Sequence, residues 1–185
     1  MDLVYFALVT GVPLLAIINP VAALPAFISM TPDETPETRV SMALRASIFS
    51  GAILAVFTAF GLQIFAVFGV SLSSFRVAGG LVLLLIALDS LQAKRSSVKE
   101  TEEETREGTI KEDISITPLA VPMLAGPGAM STVIVLKSKA ATAAQVLMLY
   151  GMITLVSLIT FLVFYVAVKG VKRLNPIVMN IFNRL

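Results

Sequence analysis

The amino-acid sequence predicts an all-α membrane protein, a polytopic helical bundle built from two inverted repeats. Hydrophobic residues make up 57% of the 185 residues and charged residues 14%, against about 25% charged in an ordinary soluble domain. The charges are grouped in short segments, and most apolar stretches between them reach the length of about 20 residues that crosses a bilayer core. Five stretches are predicted to span, and they are Leu3–Met30, Ala46–Val70, Val77–Leu91, Ile114–Leu136 and Val146–Val168.

The first apolar stretch is predicted to be a broken helix. It contains "INPVAALPAF" at 18–27, with no charge from Leu3 to Met30. Asn19 followed by Pro20 is typical of a helix N-cap and first helical position. Pro25 then removes a backbone donor one turn later and frees a carbonyl. The pattern therefore predicts that a new helix begins inside the membrane.

The second helix is predicted from its start signal and from a row of small residues. Thr35-Pro36-Glu37 is typical of a helix start. Small residues then recur every four positions along helix two, which lets helices approach closely. The expected partner is a broken helix of the other repeat or a second subunit of a homo-oligomer. These small residues are Ala43, Ser47, Gly51, Ala55 and Ala59.

The third stretch holds Asp89, the one acid within the apolar spans. Carboxylates inside membranes are functional candidates as proton carriers or cation ligands. Asp89 also lies near the inner end of its helix, where cytoplasmic water or the hydroxyl of Ser90 would satisfy it. Two interpretations of Asp89 therefore stay open. It couples transport to protons or sodium, or it is a carboxylate at the membrane boundary that has no part in coupling.

The fourth stretch repeats the pattern of the first. At 116–128 the sequence is "ITPLAVPMLAGPG". We expect Thr117 and Pro118 to start a helix as Asn19 and Pro20 do, and Pro122 to free a carbonyl. A further restart is expected at Gly126-Pro127-Gly128, with Ser131 and Thr132 in its first turn. Three crossings separate the two copies, so they enter the membrane from opposite sides, as in inverted-repeat transporters.

The repeat predicts how the chain is divided. Residues 1–92 form a first three-helix repeat, 93–113 a charged cytoplasmic linker, and 114–185 a second repeat that lacks its last helix. The last helix is expected to be missing because "NRL" at 183–185 matches the start of "FRVAGGLVL" at 75–83. Five spans are therefore expected in this chain, and a sixth is expected to be missing from it.

Basic residues predict the orientation, because Lys and Arg are retained on the cytoplasmic side. With the N-terminus outside, eleven of the 14 basic residues fall on the inner side. The predicted location is the cytoplasmic membrane, with several crossings. The three outer basic residues are Arg76, Lys137 and Lys139, and the inner ones are Arg39, Arg45, Lys94, Arg95, Lys99, Arg106, Lys111, Lys169, Lys172, Arg173 and Arg184.

The segments "INPVAALPAF", "FRVAGG" with "IALDSL", and "PLAVPMLAGPGAMSTV" resemble the MarC family of integral membrane proteins. The resemblance runs along essentially the whole chain. It implies a six-helix protein distantly similar to the LysE-type exporters. It also implies transport of small neutral amino acids.

The motifs favour a secondary transporter of a small neutral zwitterion, with a site near the membrane midplane. Helix starts supply N–H groups and positive dipole ends for a carboxylate, and freed carbonyls suit an ammonium group. The alternative is a membrane scaffold that transports nothing. The expected substrate-contacting residues are Asn19, Pro20, Pro25, Thr117, Pro118, Pro122, Gly126, Pro127, Gly128, Ser131 and Thr132.

Other classes of protein fit the sequence poorly. The chain has no His or Cys, so the usual zinc and cysteine enzymes lack their ligands and nucleophiles. It has no phosphate-binding loop of the G-x-x-x-x-G-K type, and no cofactor is expected. The net charge of +2 is too small to suggest a nucleic-acid partner. The expected partners are the lipid bilayer and a small-molecule substrate.

Overall fold

A computed structural model describes residues 2–32, 34–67 and 114–171, with scattered positions between 69 and 88. The described elements are all helices, and no strand occurs among them. Asp89, the predicted linker 93–113 and the C-terminal residues 172–185 lie outside the described residues, as do most positions of the third predicted span. The predictions that depend on them stay predictions.

Six described helices follow one another along the chain. Among the described residues, three helical units are long and apolar enough to cross a membrane, and there are four when the bent pair is counted as one span. The third predicted span is too sparsely described to be counted with them. The helices are α1 (Leu3–Ile18), α2 (Pro20–Ser29), α3 (Pro36–Val67), α4 (Ser115–Leu124), α5 (Pro127–Lys139) and α6 (Ala143–Val171).

The connection from α2 to α3 is fixed by side-chain hydrogen bonds. Thr35 caps α3, because its Oγ1 accepts from the Thr38 N–H at 3.2 Å, as predicted for the Thr35-Pro36 pair. Arg39 donates from Nε to the Thr31 carbonyl at 2.9 Å, and from Nη2 to the same carbonyl and to that of Pro32. Both carbonyls belong to the connection beyond the C-cap Met30, so Arg39 ties this connection to the first turns of α3.

The helices pack as two rings that share α3 and α6. We call the first the α2-side ring, in which α2 contacts α4, α4 contacts α3, α3 contacts α6 and α6 contacts α2. We call the second the α1-side ring, in which α1 contacts α5, α5 contacts α3, α3 contacts α6 and α6 contacts α1. The two halves of α1–α2 therefore pack against opposite halves of α4–α5.

The predicted small-residue surface of α3 lies against the second half of the chain. Ala43 and Ser47 are buried, and a Cβ added at Gly51 would lie 2.5 Å from the Ser157 hydroxyl of α6. The partner at Gly51 is thus the unbroken helix α6 of the same chain, where a broken helix of the other repeat or a second subunit was expected. Elsewhere along its length α3 also contacts the broken pair α4 and α5. An α3 surface without bulky side chains lets the two long helices approach closely.

Large apolar side chains are buried inside the bundle and also exposed around it. Phe27 of α2 stacks on Phe164 of α6, with ring centroids 5.1 Å apart. Val4, Leu147 and Val166 are among the outward-facing side chains that are two-thirds exposed or more. Exposed apolar surface of this extent marks an interaction surface, and on helices of this length it suits lipid contact.

Candidate functional site

The first interruption lies at Asn19, between α1 and α2. Asn19 adopts the left-handed conformation, with φ 43° and ψ 68°. Its N–H donates to the Leu15 carbonyl at 2.9 Å, and its Oδ1 accepts from the Ala22 N–H at 3.2 Å. Pro20 occupies the first position of α2. The predicted N-cap and proline start are confirmed.

Prolines remove two further hydrogen bonds from this unit. Pro25 lies inside α2, where it cannot donate to the Val21 carbonyl. Pro13 lies inside α1 and likewise cannot donate to the Val9 carbonyl. Pro25 was identified from the sequence and Pro13 was not. The signal for Pro13 was the same, a proline inside an apolar helix.

The second interruption lies between α4 and α5, which are bent by 58°. Gly126 is the N-cap of α5 in an extended conformation, with φ −75° and ψ 175°, and Pro127 is the first helical residue. No side chain caps this helix. The N–H groups of Gly128 and Ala129 therefore have neither an intrahelical acceptor nor a side-chain cap.

The predicted helix start at Thr117 and Pro118 is wrong. Both residues lie inside α4, which begins at Ser115 and is kinked at Thr117 and Val121. The Leu119 N–H donates to the Ile114 carbonyl, five residues earlier, at 3.2 Å. Thr117 is extended, with φ −127° and ψ 122°, and so is Val121, with φ −133° and ψ 125°. Each precedes a proline, which disfavours the α conformation at the residue before it.

The position that matches Asn19-Pro20 is therefore Gly126-Pro127, one pair of residues at each interruption. A helix begun at Pro118 would meet Pro122 one turn later, where the missing donor and the pre-proline restriction would end it again. Only from Pro127 onward does this segment form a helix of thirteen residues with no second proline.

Glycine is needed at 126 because the backbone folds back on itself there. A Cβ at this position would fall inside contact distance of the Pro122 carbonyl oxygen. Beyond the turn, Ser131 donates to the Pro127 carbonyl at 2.6 Å and Thr132 to the Gly128 carbonyl at 2.8 Å. Both predicted hydroxyls thus bond the first turn of α5.

Contacts along α6 give the level of the first interruption. Gly11 of α1 lies against Met152, and Gly51 of α3 lies against Ser157, five residues further along. At 1.5 Å per residue, Gly11 lies roughly 7.5 Å beyond Gly51 toward the α1 side. Asn19 follows Gly11 by eight residues, or roughly 12 Å. Asn19 therefore lies roughly 4–5 Å from the level of Gly51, on the α2 side.

The same reasoning places the second interruption. Gly61 of α3 lies against Ile134 of α5, and Gly61 is ten residues, roughly 15 Å, beyond Gly51. Gly126 precedes Ile134 by eight residues, or roughly 12 Å. Gly126 therefore lies roughly 3 Å to the α1 side of Gly51. The two interruptions straddle the level of Gly51, within roughly 8 Å of each other along the bundle.

Two buried hydroxyls are without a partner among the described residues, Thr10 Oγ1 and Ser47 Oγ. Thr10 is 0% exposed and Ser47 is 3% exposed. A buried polar group left without a hydrogen bond costs about 1–3 kcal/mol, so each such group calls for an explanation. The sequence analysis treated Ser47 as a packing residue and did not identify Thr10.

The buried side chains that the structure describes carry no charge. The buried polar ones are hydroxyls and one amide. Among the same residues, no group of three or more acidic side chains is placed to hold a metal ion. The polar groups available among these buried positions are therefore hydroxyls, one amide and backbone dipoles.

A separate groove of about 870 Å³ lies at the far end of the α2-side ring. It is lined by the start of α3, including Pro36 and Glu37, and by the end of α6, including Tyr165 and Lys169. The Lys169 ammonium lies 4.5 Å from the centre of the Tyr165 ring. Aromatic and basic side chains are typical of a membrane boundary, and none of the predicted substrate-contacting residues lines this groove.

Comparison with known proteins gives one family. The model of the "MarC family integral membrane protein" matches residues 4–185. UPF0056 membrane protein YvbG of Bacillus subtilis is 35% identical over 175 residues, 94% of this chain and 83% of the relative. YhcE of Escherichia coli is 34% identical over 98% of this chain and 84% of the relative.

A relative is also found among archaea. UPF0056 membrane protein MJ1677 of Methanocaldococcus jannaschii is 33% identical over the full chain and 89% of its own length. No solved structure matches the chain. The long apolar helices, the interrupted pair at Gly126-Pro127 and the family match over nearly every residue lead to one conclusion: this chain belongs to the MarC family of multi-pass integral membrane proteins.

Proposed function

We propose that the protein is a secondary transporter of small neutral amino acids or similar zwitterions in the cytoplasmic membrane. It works by alternating exposure of a site near the membrane midplane. One observation carries the proposal: two interrupted helices each restart at a proline. Counting residues from the contacts of Gly11, Gly51 and Gly61 at the rise of an ideal helix puts the two restarts within roughly 8 Å of each other along the bundle. Interrupted backbone at membrane depth is tolerated where it faces protein or a polar cavity.

The two halves are inverted repeats, 1–92 and 114–185, joined by the linker 93–113. In this symmetry, helices α1, α2 and α3 of the first half are equivalent to α4, α5 and α6 of the second half. The contact between α1 and α6 is then equivalent to the contact between α4 and α3. By the same rule, the contact between α1 and α5 is equivalent to the contact between α4 and α2. The contact between α2 and α6 is equivalent to the contact between α5 and α3. All of these contacts occur. Such symmetry is typical of folds in which one repeat moves against the other.

Backbone groups at the interruptions suit the two charges of an amino acid. The first N–H groups of α5, at Gly128 and Ala129, lack a side-chain cap and lie at the positive end of the helix, which favours a carboxylate. The Val21 carbonyl, freed by Pro25, offers an acceptor to an ammonium group. The uncharged interior favours a molecule whose own charges cancel.

Direction and coupling extend the proposal beyond the described residues. Export rests on the resemblance to LysE-type exporters. Coupling to protons or sodium rests on Asp89, the acid within the predicted spans, because intramembrane carboxylates serve such roles.

Transport is tested by reconstitution. Purified protein in liposomes should take up radiolabelled alanine, glycine or serine, and unlabelled substrate preloaded inside should accelerate uptake by counterflow. Liposomes without protein give the background. If the protein moves none of a broad panel of amino acids above that background, the transport proposal fails and a scaffold is favoured.

The orientation has its own test. With the N-terminus outside, a single cysteine at Ser138, near the end of α5, should react with an impermeant thiol reagent on intact cells, and one at Ser97 in the predicted linker should not. The native chain has no cysteine, so it is an unreactive background. Labelling at Ser97 with protection at Ser138 would reverse the orientation.

A further inference from the structure

We infer that the hydroxyls of Ser47 and Thr10 bind the transported molecule, one on each side of the two interruptions. This inference rests on the proposed transport function and adds side-chain ligands to a site otherwise built from backbone. Ser47 belongs to α3 and Thr10 to α1, and neither lies in a proline motif.

These two hydroxyls differ from the other buried ones in the described helices. Buried serine and threonine side chains usually donate to a carbonyl three or four residues earlier in their own helix. Ser50 donates to the Ser47 carbonyl at 3.1 Å, Thr58 to Leu54 at 2.7 Å and Thr160 to Val156 at 2.8 Å. Ser47 Oγ and Thr10 Oγ1 have no such bond. Their hydrogen-bonding capacity is therefore left for a molecule other than their own helix.

The fold places one of these hydroxyls in each ring. Ser47 lies on α3, in the row of small residues that includes Gly51, and Gly51 packs on α6. Ser47 is on the α2 side of Gly51 and therefore belongs to the α2-side ring. Thr10 precedes Gly11, which packs on Met152 of α6, and belongs to the α1-side ring. Both are nine-tenths or more buried, so they face the interior and not lipid.

Their levels match the interruptions. Ser47 is four residues, roughly 6 Å, from Gly51 on the α2 side, the same side as Asn19. Thr10 lies roughly 6 Å beyond Gly126 on the α1 side. A molecule bound where the interrupted helices cross therefore has the Ser47 hydroxyl on its α2 side and the Thr10 hydroxyl on its α1 side.

A hydroxyl both donates and accepts, so it can bind either end of a small zwitterion without adding charge to the site. In alternating access the molecule leaves toward one side or the other. Ser47 then binds it on the α2 side and Thr10 on the α1 side.

The test compares unpartnered with internally bonded hydroxyls. Ser47→Ala and Thr10→Val remove the two proposed ligands, and Ser50→Ala and Thr58→Val are the matched controls on α3. Uptake of alanine, glycine and serine into proteoliposomes gives KM, and the thermal melting temperature of each variant without substrate gives stability. Removing one hydrogen bond to the substrate should raise KM about five- to thirty-fold.

The expected result has two parts. Ser47→Ala and Thr10→Val raise KM while their melting temperatures stay equal to or above that of the native protein, because an apolar group replaces a polar group without a partner. The controls keep the native KM. Native KM in both Ser47→Ala and Thr10→Val would overturn the inference and leave the transport proposal standing. A native protein that transports nothing would overturn both.

Discussion

Replacing Gly126 with alanine should destabilise the protein and abolish most of its transport. The added Cβ would overlap the Pro122 carbonyl oxygen, and backbone atoms cannot rotate away as a side chain does. Overpacking of this kind costs about 1–3 kcal/mol. The measurement is the thermal melting temperature of the purified protein, together with substrate uptake in proteoliposomes.

The matched control is Gly151→Ala inside α6, eight residues after its start at Ala143. An added Cβ there meets no atom within 4 Å, and alanine is favoured over glycine inside a helix by up to about 1 kcal/mol. This control should keep or raise the melting temperature and keep transport. If Gly126→Ala melts at the native temperature and transports normally, the close turn between α4 and α5 is not required.

The turn at Gly126 also marks where sequence reasoning succeeded and where it did not. Asn19-Pro20 is a local signal, since an N-cap side chain and a proline at the first helical position determine a helix start between them, and the structure has it. Thr117-Pro118 carries the same local signal. It fails because Pro122 follows before a second turn can form, so the start moves on to Pro127.

The remaining features depend on contacts between distant residues. Gly51 meets Ser157 and Gly61 meets Ile134, pairs separated by more than 70 residues. A four-residue spacing of small side chains predicts that a helix approaches closely there, but it contains no information on which helix. The unpartnered state of Ser47 is likewise invisible in sequence, because Ser50, three residues later, has the same residue type and an internal bond.

Asn19 offers the second large effect, in which stability and ligand binding can be separated. Asn19→Ala should lower the free energy of unfolding by about 2–3 kcal/mol. Loss of the bond to the Ala22 N–H costs about 1 kcal/mol, and the left-handed conformation, φ 43°, costs alanine about 1–2 kcal/mol more. Asn19→Gly should cost only a few tenths of a kcal/mol, because glycine adopts this conformation readily and serves as an N-cap.

The two variants then answer different questions when their uptake kinetics are measured beside their melting temperatures. If the Asn19 amide binds substrate, Asn19→Gly keeps a near-native melting temperature and still raises KM about five- to thirty-fold, since the hydrogen bond to substrate is lost. If Asn19 only shapes the interruption, Asn19→Gly transports with native KM and Asn19→Ala alone is impaired. Equal destabilisation by glycine and alanine would contradict the left-handed turn itself, because only alanine carries a Cβ that opposes it.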